Sequence, residues 1–169
     1  MTRPTAKGAR RLTLLALLTA IALTIFMAEA QLPPILPIPG VKLGLANIVT
    51  VYAMFALGPG DAMMILLCRV FLGSVFSGQM MTLFYSLAGG VLSWLVMLLL
   101  RRVLTLHQMW LCSPIAGIFH NLGQLLAAVV LMGTWTVLAY LPYLIIAGAA
   151  SGVFTGLCAQ FLLARLKKL

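Results

Sequence analysis

The amino-acid sequence predicts an all-α, polytopic membrane protein of six transmembrane helices, and three observations carry that expectation. The residues AVILMFWYC supply 63% of the 169 positions and charged residues only 8%, against roughly 45–50% and 25% in a soluble domain. The formal net charge of +9 comes mainly from short basic clusters separated by long apolar stretches. Most of those stretches approach the ~20 residues that a helix needs to cross a ~30 Å hydrocarbon layer. A chain this apolar buries its surface in lipid, which excludes a water-soluble globule, a disordered chain and a nucleic-acid binder. Residues 1–169 are expected to form a single integral membrane domain.

The first span is expected over residues 12–30, after the basic residues Arg3, Lys7, Arg10 and Arg11. Basic residues, an apolar run and Ala28-Glu29-Ala30 also fit a secretory signal with an A-x-A cleavage site, a competing parse in which this segment is removed. Pro33, Pro34, Pro37, Pro39 and Gly40 then break the pattern. A segment so rich in proline favours an extended, stiff path, suited to a lid at the outer mouth or to the headgroup layer. The second span is expected over 43–57, ended by Gly58-Pro59-Gly60, and the third over 61–77, ended by Ser77-Gly78. Asp61 reads as the N-cap of the third span, where its charge suits the helix dipole. The fourth span covers 80–100, the fifth 114–132 from Pro114 to Gly133-Thr134, and the sixth 138–164 with Pro142 near its start.

Six alternating spans bring nine of the eleven basic residues to one side: the N-terminal four, Arg101 and Arg102, and Arg165, Lys167 and Lys168. The positive-inside rule then places both termini in the cytoplasm. Lys42 and Arg69 are the two exceptions, the first at the outer end of span two and the second inside span three.

Small residues at four-residue spacing let membrane helices approach closely. Gly148, Gly152 and Gly156 form a double G-x-x-x-G in span six and read as a packing face. Ala16 and Ala20 in span one form an A-x-x-x-A pair, either a seat on neighbouring spans or a docking face for another membrane subunit.

A charge at mid-bilayer costs about 2.5–3.5 kcal/mol on insertion scales, so Arg69 calls for a reason. It either caps backbone carbonyls and polar neighbours, with Glu29 its one nearby acidic candidate, or faces a cavity and holds an anionic ligand group. His120, Asn121 and Gln124 project to one side of span five, at three- and four-residue spacing. They serve as interhelical glue or as an inward polar patch. Asn47 and Gln79 extend this polar set, and Tyr85 and Trp94 are aromatic enough to stack on a flat ligand or to anchor at the interface. The candidate ligand-binding set is Lys42, Asn47, Arg69, His120, Asn121 and Gln124.

The sequence also bounds the chemistry. Glu29 and Asp61 are its only carboxylates, 32 positions apart, so paired-carboxylate catalysis and an aspartate cluster holding magnesium both lack their parts. Cys68, Cys112 and Cys158 stand apart from one another and from metal-ligand spacing, and read as small core hydrophobes. No catalytic or metal residue is expected, and no phosphate-binding G-x-x-x-x-G-K-[ST] loop occurs.

At Leu36-Pro37-Ile38-Pro39-Gly40-Val41-Lys42-Leu43-Gly44-Leu45-Ala46-Asn47, Leu57-Gly58-Pro59, Arg69-Val70-Phe71-Leu72-Gly73-Ser74, Tyr85-Ser86-Leu87-Ala88-Gly89-Gly90 and His120-Asn121-Leu122-Gly123-Gln124, the chain resembles the family called Gx transporters. That family is also labelled heptaprenyl diphosphate synthase component I. The likeness covers nearly the whole chain, and the six-span plan with its alanine pair is similar to the substrate-binding S components of energy-coupling factor transporters. It implies a bacterial cell-membrane protein that captures a small molecule, such as a vitamin or flavin, and works with a membrane coupling subunit and ATPases. The synthase label implies a non-catalytic accessory to a prenyltransferase. A link of some relatives to extracellular electron transfer implies a flavin or quinone held without covalent attachment; no intrinsic cofactor is otherwise expected.

Overall fold

In the computed structural model, residues 6–31, 42, 44–105 and 108–166 are described. Residues 32–41 with their four prolines, most of the segment expected as an outer loop, and the basic residues Arg3, Lys167 and Lys168 lie outside them. Among the described residues the structure is all-helical: α1 Ala6–Ala30, α2 Asn47–Ala56, α3 Pro59–Ser77, α4 Met80–Leu100, α5 Met109–Met132 and α6 Leu141–Leu166, with a 3-10 turn Trp135–Tyr140 leading into α6.

Glycine and proline set several boundaries. Gly58 at φ +131° precedes Pro59, whose fixed φ suits the first helical position of α3. Gly78 and Gly133 end α3 and α5 in the left-handed conformation at φ +65° and +63°. Pro114 lies inside α5 rather than at its start. Only one backbone hydrogen bond is forfeited so near the helix end, so the helix begins five residues before the expected boundary.

The larger departure is α2. The expected span 43–57 is a helix of ten residues, about 15 Å at 1.5 Å per residue, half of the hydrocarbon thickness. Among the described residues five helices, not six, are long and apolar enough to cross a membrane. Gly44, at φ +79° and followed by the turn residues Leu45 and Ala46, stops the helix from extending outward. Short as it is, α2 is central: it packs against all five long helices, and Val49, Val51, Ala53, Met54 and Phe55 are buried. The others surround it in the order α1, α3, α4, α5, α6, each packed on the next.

The main apolar cluster joins Leu15 of α1, Phe55 of α2, Met97 of α4, Met109 of α5 and Leu163 of α6. The start of α1, the α2–α3 turn, the α4–α5 link and the end of α6 therefore gather at one end, which carries Arg11, Arg101, Arg102 and Arg165. There the Arg11 guanidinium donates to the Asp61 carboxylate, with Nε 3.2 Å from Oδ2. Asp61 is thus not the N-cap of α3; Gly58 holds that position, and Asp61 lies in the first turn, where Arg11 of α1 takes its side chain.

Beside its apolar clusters the bundle buries polar side chains, and it exposes large apolar ones. Thr50, Arg69, Ser93, Ser113, His120, Asn121 and Gln124 are buried, while Leu17, Phe71, Phe76, Val130, Ile146 and Phe154 are exposed. Water penalises that arrangement and lipid rewards it. Cys68 also faces outward, unlike buried Cys112, because it falls on the outer face of α3.

Candidate functional site

The polar residues converge where α2 begins in the middle of the bundle. Arg69, ten residues into α3, is 2% exposed and donates from Nη2 to Asn47 Oδ1 at 2.7 Å. Asn47 is the first residue of α2. The Arg69 Nε has no hydrogen-bond partner. Gly73, one turn further along α3, leaves room for the Phe26 ring of α1, since a Cβ there would stand 2.5 Å from the ring. The Lys42 Nζ lies 3.6 Å from the centroid of that same ring, a cation–π contact. Burial lowers the pKa of the Lys42 ammonium from its ordinary value, Glu29 works against that shift, and Arg69 adds to it.

Glu29, in the last turn of α1, is buried and reaches the chain just ahead of α2. Its Oε1 accepts from the Gly44 N–H at 2.7 Å and its Oε2 from the Leu45 N–H at 3.0 Å. No ion pair within 4.0 Å joins it to Arg69 among the described residues. The guanidinium is held instead by a neutral amide, and the carboxylate by backbone.

From α5, the Gln124 Oε1 accepts from the Lys42 N–H at 3.3 Å. Its Nε2 must then be the donor to His120 Nε2, 3.0 Å away. That assigns His120 as a neutral imidazole with its proton on Nδ1, which faces α4 at Gly89; a Cβ there would lie 3.0 Å from it. Gly44 packs against the same imidazole, with a Cβ position 2.9 Å from Cδ2 and Nε2. Asn121 diverges from its two neighbours: its Nδ2 donates to Leu144 O of α6 at 2.8 Å, and its Oδ1 is left unpartnered. Consecutive helical residues point about 100° apart, so His120 and Gln124 share a face that Asn121 does not.

The structure therefore brings together Lys42, Asn47, Arg69, His120 and Gln124, with Asn121 alongside. Sequence reasoning missed the part taken by Glu29 and by the amides of Gly44 and Leu45. The usable signal was that Glu29 is the one carboxylate expected at membrane depth near Arg69. It also missed a hydroxyl-rich stratum deeper in the bundle. There the Ser113 and Thr155 hydroxyls are hydrogen-bonded at 2.9 Å, beside a small cavity of about 10 Å³ lined by Asn47, Ser93 and Ser151 among others. Tyr85 packs in a second apolar cluster with Leu125 and Leu144, and the Trp94 Nε1 donates to Pro59 O at 3.0 Å.

By formal charge, Arg69 and Lys42 against Glu29 alone leave one excess positive charge at this buried site. Among the described residues no group of three His, Cys, Asp or Glu is placed to hold a metal ion.

The family described as heptaprenyl diphosphate synthase component I has a model that matches residues 18–162. The chain belongs to that family. The matched stretch runs from the middle of α1 to near the end of α6 and contains every residue of the polar site. No curated protein matches the chain. This component I chain is thus a membrane protein by its apolar helices, with the charged site buried at the start of its half-length helix.

Proposed function

We propose that this protein is a non-catalytic integral membrane protein that captures a small anionic molecule at the start of α2. The observation that carries this reading is the buried Arg69, backed by Lys42 and opposed only by Glu29: one positive charge is left over, and a monoanion neutralises it. Arg69 and Lys42 supply attraction, while Asn47, His120 and Gln124, joined by Asn121, orient the ligand through hydrogen bonds. A half-helix whose N-terminus lies at membrane depth favours the same sign of charge.

In this reading the molecule enters from the outer side, and both termini, with the basic end of the bundle, face the cytoplasm of a bacterial cell. Energy for release comes from a separate coupling subunit and ATPases, as in S components. Ala16 and Ala20 are exposed on α1, which supports docking to such a subunit rather than a seat within the bundle. Mass spectrometry of small molecules retained by the gently purified protein tests the reading. One anionic compound near stoichiometry, lost in folded Arg69→Gln, is expected; equal retention in both proteins refutes it.

The family description favours a second reading, in which the chain is the membrane component of a two-part prenyl diphosphate synthase. Asp61 is taken by Arg11 and Glu29 by backbone amides, so the magnesium and diphosphate chemistry falls to a partner. Co-purification of a soluble prenyltransferase supports this reading. A third, in which the polar site holds a flavin or quinone for electron transfer, predicts a chromophore that bleaches on reduction.

A further inference from the structure

The place where an anion is expected already holds a carboxylate, at the end of a helix that disfavours it. Glu29 lies in the last turn of α1, where the helix dipole repels negative charge. It is nonetheless only 7% exposed, and both its oxygens are engaged by the consecutive amides of Gly44 and Leu45. Gly44, at φ +79°, turns these N–H groups toward a common point, the arrangement of a backbone anion nest. A second observation lies one residue away: a Cβ on Gly44 would stand 2.8 Å from Asn47 Nδ2, and Asn47 Oδ1 accepts from Arg69. The Arg69 guanidinium, 2% exposed, is tied to the first residue of α2 through one nitrogen and leaves its Nε unpartnered.

We propose that the amides of Gly44 and Leu45, backed by Arg69, form a carboxylate site in which Glu29 is a resident occupant that the carboxylate of the incoming molecule replaces. The inference rests on the anion-capture reading above and gives the anion its chemistry. Two adjacent amides match a planar anion with two oxygens, as Glu29 itself demonstrates, and match a spherical halide poorly. The displaced Glu29 has a partner waiting. Phe26 lies three residues before it on the same face of α1, and the Lys42 ammonium rests on the Phe26 ring. A rotation of Glu29 toward Lys42 forms an ion pair as the cradle is vacated, so no bare charge is left in the interior.

The test empties the cradle and offers it a small substitute. Purified Glu29→Ala and wild-type protein are heated in sodium formate or in sodium chloride at matched ionic strength. Formate is expected to raise the unfolding temperature of Glu29→Ala in proportion to the logarithm of its concentration, with a much weaker response in the wild type, whose own carboxylate competes. Chloride acting as well as formate, or no formate response in Glu29→Ala, overturns the cradle. Should Glu29→Ala fail to fold in either salt, Glu29→Gln keeps the shape and one acceptor. A formate response in Glu29→Gln above that of the wild type supports the cradle, and an equal one overturns it. Retention of the native ligand in Arg69→Gln is read separately. Its loss, without a formate response in the Glu29 variants, removes the cradle and leaves anion capture standing, whereas unchanged retention removes anion capture itself.

Discussion

Replacing Arg69 by methionine separates a structural arginine from a binding one, because the two roles predict different stabilities. The substitution keeps most of the side-chain volume and removes the charge. It orphans Asn47 Oδ1, whose only partner among the described residues is the Arg69 Nη2 at 2.7 Å, at a cost of about 1–3 kcal/mol for a buried unsatisfied acceptor. Against that, it relieves a mid-bilayer charge that insertion scales put at about 2.5–3.5 kcal/mol. The difference runs from a gain of about 2.5 kcal/mol to a loss of about 0.5 kcal/mol, so Arg69→Met is expected to be as stable as the wild type or more so. The double variant Arg69→Met with Asn47→Leu removes the orphan and is expected to be more stable than Arg69→Met alone. Thermal unfolding in a mild detergent, followed by circular dichroism, measures both. A loss beyond about 3 kcal/mol in the single variant refutes the reasoning, since it exceeds the whole orphan penalty and makes the guanidinium part of the scaffold. Stability retained and ligand lost is the signature of a charge kept for binding.

Three further outcomes follow from the packing and the charges. Gly152→Leu is expected to destabilise by about 1–3 kcal/mol or more, since its Cβ would stand 2.5 Å from Pro114 Cα and Ser113 O, both backbone. Gly60→Ala, with nothing within 4 Å, is the control and is expected to gain up to about 1 kcal/mol from helix propensity. Leucine at both Ala16 and Ala20 is expected to leave unfolding within about 0.5 kcal/mol of the wild type, while abolishing co-purification of a coupling subunit; unfolding would place the pair in the bundle. Acylation of Lys42 is expected to reach half its maximal rate below the pH of an ordinary lysine, because burial disfavours the ammonium. Glu29→Gln removes the one neighbour that opposes this shift and is expected to lower the midpoint further; a rise refutes the assignment.

Much of the bundle was legible because lipid imposes a simple rule on length and polarity. Spans three and four matched α3 and α4 closely, since Gly58-Pro59 and Gly78 act locally, through φ and a missing N–H, and local signals survive folding. The length of α2 was hidden for the opposite reason. Residues 43–57 are apolar apart from Asn47 and Thr50, and nothing in their hydropathy says that Gly44 turns left-handed against His120, 76 residues away. Arg69, His120 and Gln124 could be found because a polar residue in an apolar helix is conspicuous. What each one touches could not, since Asn47, Gly44 and Glu29 come from elements whose depth depends on the whole assembly. Asn121 shows the limit of spacing arguments: three residues within one turn look alike in a sequence, and one of them serves a different neighbour.

The half-length helix at the centre also constrains the order of assembly. Ten residues cannot span the bilayer, and a polar Asn47 at mid-depth has no partner in lipid, so α2 cannot be laid down in the membrane on its own terms. It must wait, shielded beside α1 or near the surface, until α3 supplies Arg69 and the later helices close its other sides. A nascent chain halted after α2 therefore holds one helix long enough to cross a membrane, α1, and a half-length helix still without Arg69 of α3 and the packing of α6, the last helix made. Lesions in α6 that never touch the polar site should then show themselves first as chains that fail to insert α2.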